Sequence, residues 1–204
     1  MKRERETPPL ISKGGVPAHP AKNSKPISKV KNHPTIIIDT REQRPLVFEH
    51  LPSQPGTLTT GDYSLENLEA EFSVERKSIP DLISSCLRDR VRFEKELARL
   101  RGFQFARVLV VGQPHDIAKL APNPKSIFST ISAFEARYVP FVFEPDPATS
   151  ARLVERWAWF FWQHRARPFR TGGKAETCPI LAATVQGRTR DILAASNPLA
   201  SSNP

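Results

Sequence analysis

Six of the seven residues from Phe105 to Val111 are apolar, and half of those six are valine. A strand with one face in water alternates apolar and polar positions. A continuous run of this kind belongs to a central strand covered on both faces. Such a strand needs helices over the sheet, and segments with helical spacing flank it. Ser78 and Asp81 form a Ser-x-x-Asp helix start, so a helix is predicted over 79–87. Phe93, Leu97 and Leu100 carry the spacing of a second helix over 90–101. Further helices are predicted over 126–138 and 147–167, with a strand at 140–144.

Upstream, Thr35–Ile38 is a β-branched run closed by Asp39 and reads as a buried strand. A Pro-, Gly- and Gln-rich stretch to Gly56 reads as loop. Thr57–Leu65 and Glu71–Lys77 read as the two arms of a hairpin turning near Glu66–Glu69. In the second arm Glu75 and Lys77 share one face, because side chains alternate along a strand. The order is strand, hairpin, helix, strand, helix, strand, helix: an α/β sheet with helices on its faces.

The formal net charge of +9 is concentrated at the N-terminus. Residues 1–34 hold eight basic side chains, Lys29 and Lys31 among them, against Glu4 and Glu6. Proline-rich and without periodicity, this arm is expected to be disordered. It either raises affinity for polyanions by counterion release or only solubilises the chain. Residues 171–204 are expected to form a flexible tail, with a short helix possible near Thr189–Ala195. The folded unit is then about 35–170. Cys86 and Cys178 are too few for a disulfide framework or a cysteine zinc site. No apolar run is long enough to span a membrane, and no secretory leader is expected. The chain reads as a soluble protein of a reducing compartment.

Asp39 closes the first strand, Asp62 lies in the first hairpin arm and Glu75 in the second. Gathered by a fold, their carboxylates suit a hard cation such as Mg²⁺. Lys77 projects to the same side as Glu75, where an ammonium can hold an attacking water or offset charge on a phosphate. Alone this is thin, since Glu-x-Lys is common on solvated strands.

The local sequence is sharper. Gly61-Asp62-Tyr63 followed by Glu75-Arg76-Lys77-Ser78-Ile79-Pro80-Asp81 resembles the GD…ERK-x-x-x-D nuclease motif of the XPF/Hef family of structure-specific endonucleases. Ile38-Asp39-Thr40-Arg41-Glu42 is similar to that family's hydrophobic-D-x-R-E segment. The resemblance covers roughly 35–145. It implies a restriction-endonuclease-like fold, a central mixed sheet flanked by helices. It further implies that Asp62 and Glu75 are the principal metal ligands, that Asp39 contributes, and that the Arg76 carbonyl completes the shell. Lys77 then positions or activates the water, while Asp81, Arg41 and Glu42 support the site. The cofactor is Mg²⁺ or Mn²⁺ and the partner is DNA, with no small-molecule substrate and no membrane. Family members dimerise through nuclease domains, which implies a homodimer. Arg90 and Arg92, then Arg88, are candidates for a phosphate path, with Lys29 and Lys31 in the arm. The 34 residues after Arg170 are short and polar, so no helix-hairpin-helix module is expected in them.

Other readings stand beside these. Asp81 serves as a helix-capping carboxylate in either case. The aromatics Trp157, Trp159, Phe160, Phe161 and Trp162 are packing, an interface or a stacking surface. The leading function is a metal-dependent DNA endonuclease acting on branched, flap or partly single-stranded DNA. The alternative is a catalytically silent DNA-binding subunit; a third is a nuclease against invading or packaged DNA. Localisation is cytoplasmic and nucleoid-associated in a bacterial or viral setting and nuclear in a eukaryotic one.

Overall fold

The structure is a computed structural model and describes residues 33–166. Lys29, Lys31, most of the basic arm and the whole C-terminal tail, with its possible short helix, lie outside the described residues.

Six strands form one mixed sheet in the order β2-β1-β3-β4-β5-β6. They are β1 (Ile36–Asp39), β2 (Ser53–Gly56), β3 (Tyr63–Leu65), β4 (Phe72–Ser78), β5 (Phe105–Val111) and β6 (Phe141–Glu144). β1 pairs parallel with β2 and antiparallel with β3, and β3 pairs antiparallel with β4. β4, β5 and β6 run parallel. The helices are α1 (Ile79–Leu87), α2 (Arg90–Leu100), α3 (Pro114–Leu120), α4 (Pro124–Arg137) and α5 (Pro147–Ala166).

The apolar run 105–111 is flanked by β4 and β6 and feeds both faces. Val108 and Val110 pack with Leu82, Phe93, Leu97, Ile127 and Phe134 from α1, α2 and α4. Leu109 packs on the other side with Tyr63, Val74, Val154 and Trp159 beneath α5. Most α5 aromatics are therefore packing: Phe161 meets Phe72 at 5.5 Å and Trp157 meets Phe105 at 5.8 Å between ring centroids. Phe160 is the exception, 53% exposed.

Two expectations need correction. The stretch before Gly56 is not all loop, because Ser53-Gln-Pro-Gly56 pairs with β1 as an edge strand. Its composition hides it: Pro55 has no amide to donate and is tolerated only on an edge. The first hairpin arm is also shorter than 57–65. Thr57–Asp62 forms a turn in which Gly61 takes φ +82°, and only Tyr63–Leu65 is strand. α3 had no expectation in the sequence; proline opens it and the Gln113 amide donates to Asp116 Oδ2 at 3.0 Å.

Candidate metal-assisted active site

β4 places the centre of the site. Its alternation sends Phe72 and Val74 into the core under α5, and Glu75 and Lys77 toward α2. Gly61 makes the turn that delivers Asp62. A Cβ there would lie 2.2 Å from Ser73 Oγ and 3.2 Å from the Val74 carbonyl oxygen, and the backbone is left-handed. Glycine is the residue that fits. The Asp62 amide then donates to the Val74 carbonyl at 2.9 Å, and the Asp62 carbonyl accepts from the Asp39 amide at 2.8 Å. The side chain is oriented as well, since the Arg76 amide donates to Asp62 Oδ2 at 2.7 Å.

Lys77 Nζ donates to Glu75 Oε1 at 2.8 Å. It lies 4.6 Å from the centre of the Phe93 ring and 3.9 Å from Glu96 Oε2. Phe93 and Glu96 are three residues apart on α2 and so face the same way. One turn on, Arg99 Nε donates to Thr60 Oγ1 at 3.3 Å, touching the turn that carries Asp62. α2 is thus the third wall of the site. Neither Arg99 nor Glu96 is among the site residues expected from the sequence. For Glu96 the available signal was its spacing from Phe93.

Burial sets the protonation behaviour. Glu75 is 5% exposed. Desolvation first, and then the Asp62 carboxylate, push its pKa up to about 8 against the pull of Lys77. Desolvation likewise raises Asp62 to about 6, opposed by the Arg76 amide and reinforced by Glu42. Burial alone would lower Lys77, but the adjoining Glu75 and Glu96 carboxylates outweigh it and the net shift is upward. Lys77 is therefore a fixed cation at neutral pH, a donor and not a proton acceptor.

Asp39 has another set of partners. Arg41 grips it with Nε on Oδ1 at 2.7 Å and Nη2 on Oδ2 at 3.0 Å, while the Arg41 and Leu58 amides also donate to its oxygens. The Arg41 hydrogen bonds hold the Asp39 carboxyl down at about 2. Arg41 also donates to the Leu58 carbonyl at 2.7 Å, fastening the 57–62 turn to β1. Glu42 lies 3.6 Å from Arg76 Nη1, on the α5 side of β4. Asp81 is exposed; Ser78 Oγ donates to Asp81 Oδ2 at 2.6 Å and accepts from the Asp81 amide at 3.3 Å, a helix cap. Arg88, Arg90 and Arg92 are all exposed where α1 meets α2. Arg88 Nη2 donates to Ser84 Oγ at 3.1 Å, and Arg90 lies 5.6 Å from the centre of the Phe134 ring.

The donor chemistry fits a divalent cation. Half-buried Asp62 and buried Glu75 are both raised by desolvation, Glu75 also by Asp62, and each is a hard oxygen donor. Glu96 lies beside Lys77 on their side of β4, and Glu42 pairs with Arg76 on the other. Among the described residues, no three His, Cys, Asp or Glu side chains gather into a metal centre. The candidate is a two-carboxylate site, with Asp39 engaged by Arg41.

Fold and site together define an α/β nuclease-type chain. The ERCC4 domain model matches residues 38–156, and the chain belongs to the ERCC4 domain family. Among solved structures it is similar to XPF from Aeropyrum pernix, with 22% identity and a TM-score of 0.53, over 71% of this chain and 65% of that one. It is also similar to XPF from Aeropyrum pernix in complex with DNA, at 21% identity and a TM-score of 0.52, over 71% and 70% of the two chains. The chain thus spans less than two thirds of the first of these. No curated protein matches it.

Proposed function

We propose that the chain is a divalent-metal-dependent DNA endonuclease that hydrolyses phosphodiester bonds in branched, flap or partly single-stranded DNA. The observation that carries this reading is the pair of half-buried Asp62 and buried Glu75, carboxylates raised by desolvation beside an ammonium that stays charged. Asp62, Glu75 and the Arg76 carbonyl hold Mg²⁺ or Mn²⁺. A bound cation supplies Lewis-acid stabilisation of the phosphate and a more acidic water.

The protein's own groups do the rest. The Arg76 amide keeps the Asp62 carboxylate aimed. Lys77 donates hydrogen bonds to the attacking water or to a non-bridging phosphate oxygen and offsets the charge developing there. Arg41, anchored on Asp39 and Leu58, holds the turn in place. Glu42 restrains Arg76. Arg88, Arg90 and Arg92 meet backbone phosphates, joined by Lys29 and Lys31. Two chains pair through the nuclease domain. DNA as the ligand is supported by the DNA complex of the similar Aeropyrum pernix XPF.

The test is cleavage of labelled duplex, flap, splayed-arm and single-stranded DNA with Mg²⁺, Mn²⁺ or EDTA, for wild type, Glu75→Gln and Lys77→Ala. Metal-dependent cutting lost in both variants supports the nuclease. DNA binding without cutting in any metal leaves a silent DNA-binding subunit.

A further inference from the structure

Lys77 has two carboxylates within reach, and only one of them belongs to the metal pair. Its short partner is Glu75 Oε1 at 2.8 Å; its distant one is Glu96 Oε2 at 3.9 Å, contributed by α2. Glu75 cannot serve a dication and an ammonium equally, because the two cations repel and compete for the same oxygens. When Glu75 turns to the metal, the ammonium is pushed away from it. The Phe93 ring at 4.6 Å attracts a cation but accepts no hydrogen bond in a fixed direction. Glu96 does, and closing to hydrogen-bond length takes a shift of only about 1 Å.

Resting on the nuclease reading above, we propose that Glu96 is a positioning residue that takes over the Lys77 ammonium when the metal claims Glu75. Without it, Lys77 swings outward and its charge no longer reaches the phosphate. Glu96 is suited to this because its side chain is partly exposed, at 26%. The backbone beneath is fixed by Phe93 and Leu97, which are fully buried on the same helix.

The test compares wild type, Glu96→Ala and Glu96→Gln. Alanine favours the helix, and circular dichroism checks that the variants fold. The first readout is acetylation of Lys77 by acetic anhydride, followed by mass spectrometry with and without Ca²⁺ as a stand-in cation. Wild-type Lys77 stays equally slow in both conditions. In Glu96→Ala it is slow without Ca²⁺, held by Glu75, and reacts ~5-fold faster or more with Ca²⁺ once that carboxylate is occupied. The second readout is cleavage with Mg²⁺: kcat falls ~10-fold or more in Glu96→Ala with KM unchanged, and Glu96→Gln, which keeps an acceptor, recovers part of it. If wild type binds Ca²⁺ and cuts DNA while Glu96→Ala matches it in both readouts, Glu96 has no such role and the nuclease reading survives. If wild type neither binds Ca²⁺ by calorimetry nor cuts, both fall together.

Discussion

The amide of Arg76 donates to a carboxylate oxygen of Asp62 at 2.7 Å. A main-chain group of β4 therefore aims the side chain carried in by the turn before β3, whatever residue stands at 76. Asp62 and Glu75 are brought together by backbone pairing more than by side-chain choice.

That closeness is costly without a cation, so Glu75→Gln should trade one property for another. The amide has no charge to desolvate and no repulsion from Asp62. Metal-free Glu75→Gln is expected to melt several degrees above wild type at pH 8, while metal-dependent cutting falls by ~10²-fold or more. Calorimetric melting beside the cleavage assay checks both. A variant that melts lower and still cuts would overturn this account of the site.

The same pair gives a pH dependence of defined sign. Both folded-state pKa values lie above the unfolded ones, so the native state binds more protons. In the metal-free protein the contribution of this pair is fully present below about pH 4 and is lost as pH rises through about 6 and 8, by on the order of a few kcal/mol. Urea melts from pH 4.5 to 8.5 are expected to show that slope, and millimolar Ca²⁺ should flatten it by binding the deprotonated native state.

Gly61→Ala should damage both stability and activity. The left-handed backbone and the contact with Ser73 Oγ act together, so the cost is ~2–4 kcal/mol. Ser73→Ala added to it relieves only the collision, leaving the φ +82° strain, and restores only part of the loss. Denaturant midpoints of the single and double variants decide this.

Glu155 on α5 is fully buried. It accepts from the His50 amide at 2.6 Å, the Leu51 amide at 2.9 Å and His50 Nδ1 at 2.9 Å. Glu155→Ala orphans two backbone donors in the loop between β1 and β2 and should cost ~2–5 kcal/mol. Hydrogen exchange at His50 and Leu51 is expected to quicken in that variant before the rest of the sheet responds.

What could be read from the sequence follows the range of the interactions. The apolar run of β5, the cap at Ser78 and the alternation that put Glu75 and Lys77 on one face are local, and each appears in the fold where it was expected. The resemblance of the GD and ERK segments carried the pairing of Asp62 with Glu75. β2 was hidden because proline and small polar residues mark loops, and only the β1 edge beside it makes Ser53–Gly56 a strand. Glu96 was hidden for a different reason. Its spacing from Phe93 puts both on one face of α2, but the contact with Lys77 depends on how that helix docks against β4. Asp39 likewise gave no sign of its Arg41 clamp, since residues two apart meet only when the chain turns back at the strand end.

β4 divides its labour by odd and even positions: Phe72 and Val74 fill the core on one side, while Glu75 and Lys77 meet α2 on the other. A single inserted or deleted residue between Val74 and Glu75 would put both sets on one face, so that either the charges enter the core or the apolar groups leave it. The turn at Asn67, by contrast, sits at the surface and can absorb changes in length. Among descendants of this sequence, gaps should therefore accumulate before Phe72 and be absent from there to Lys77, even where individual letters drift.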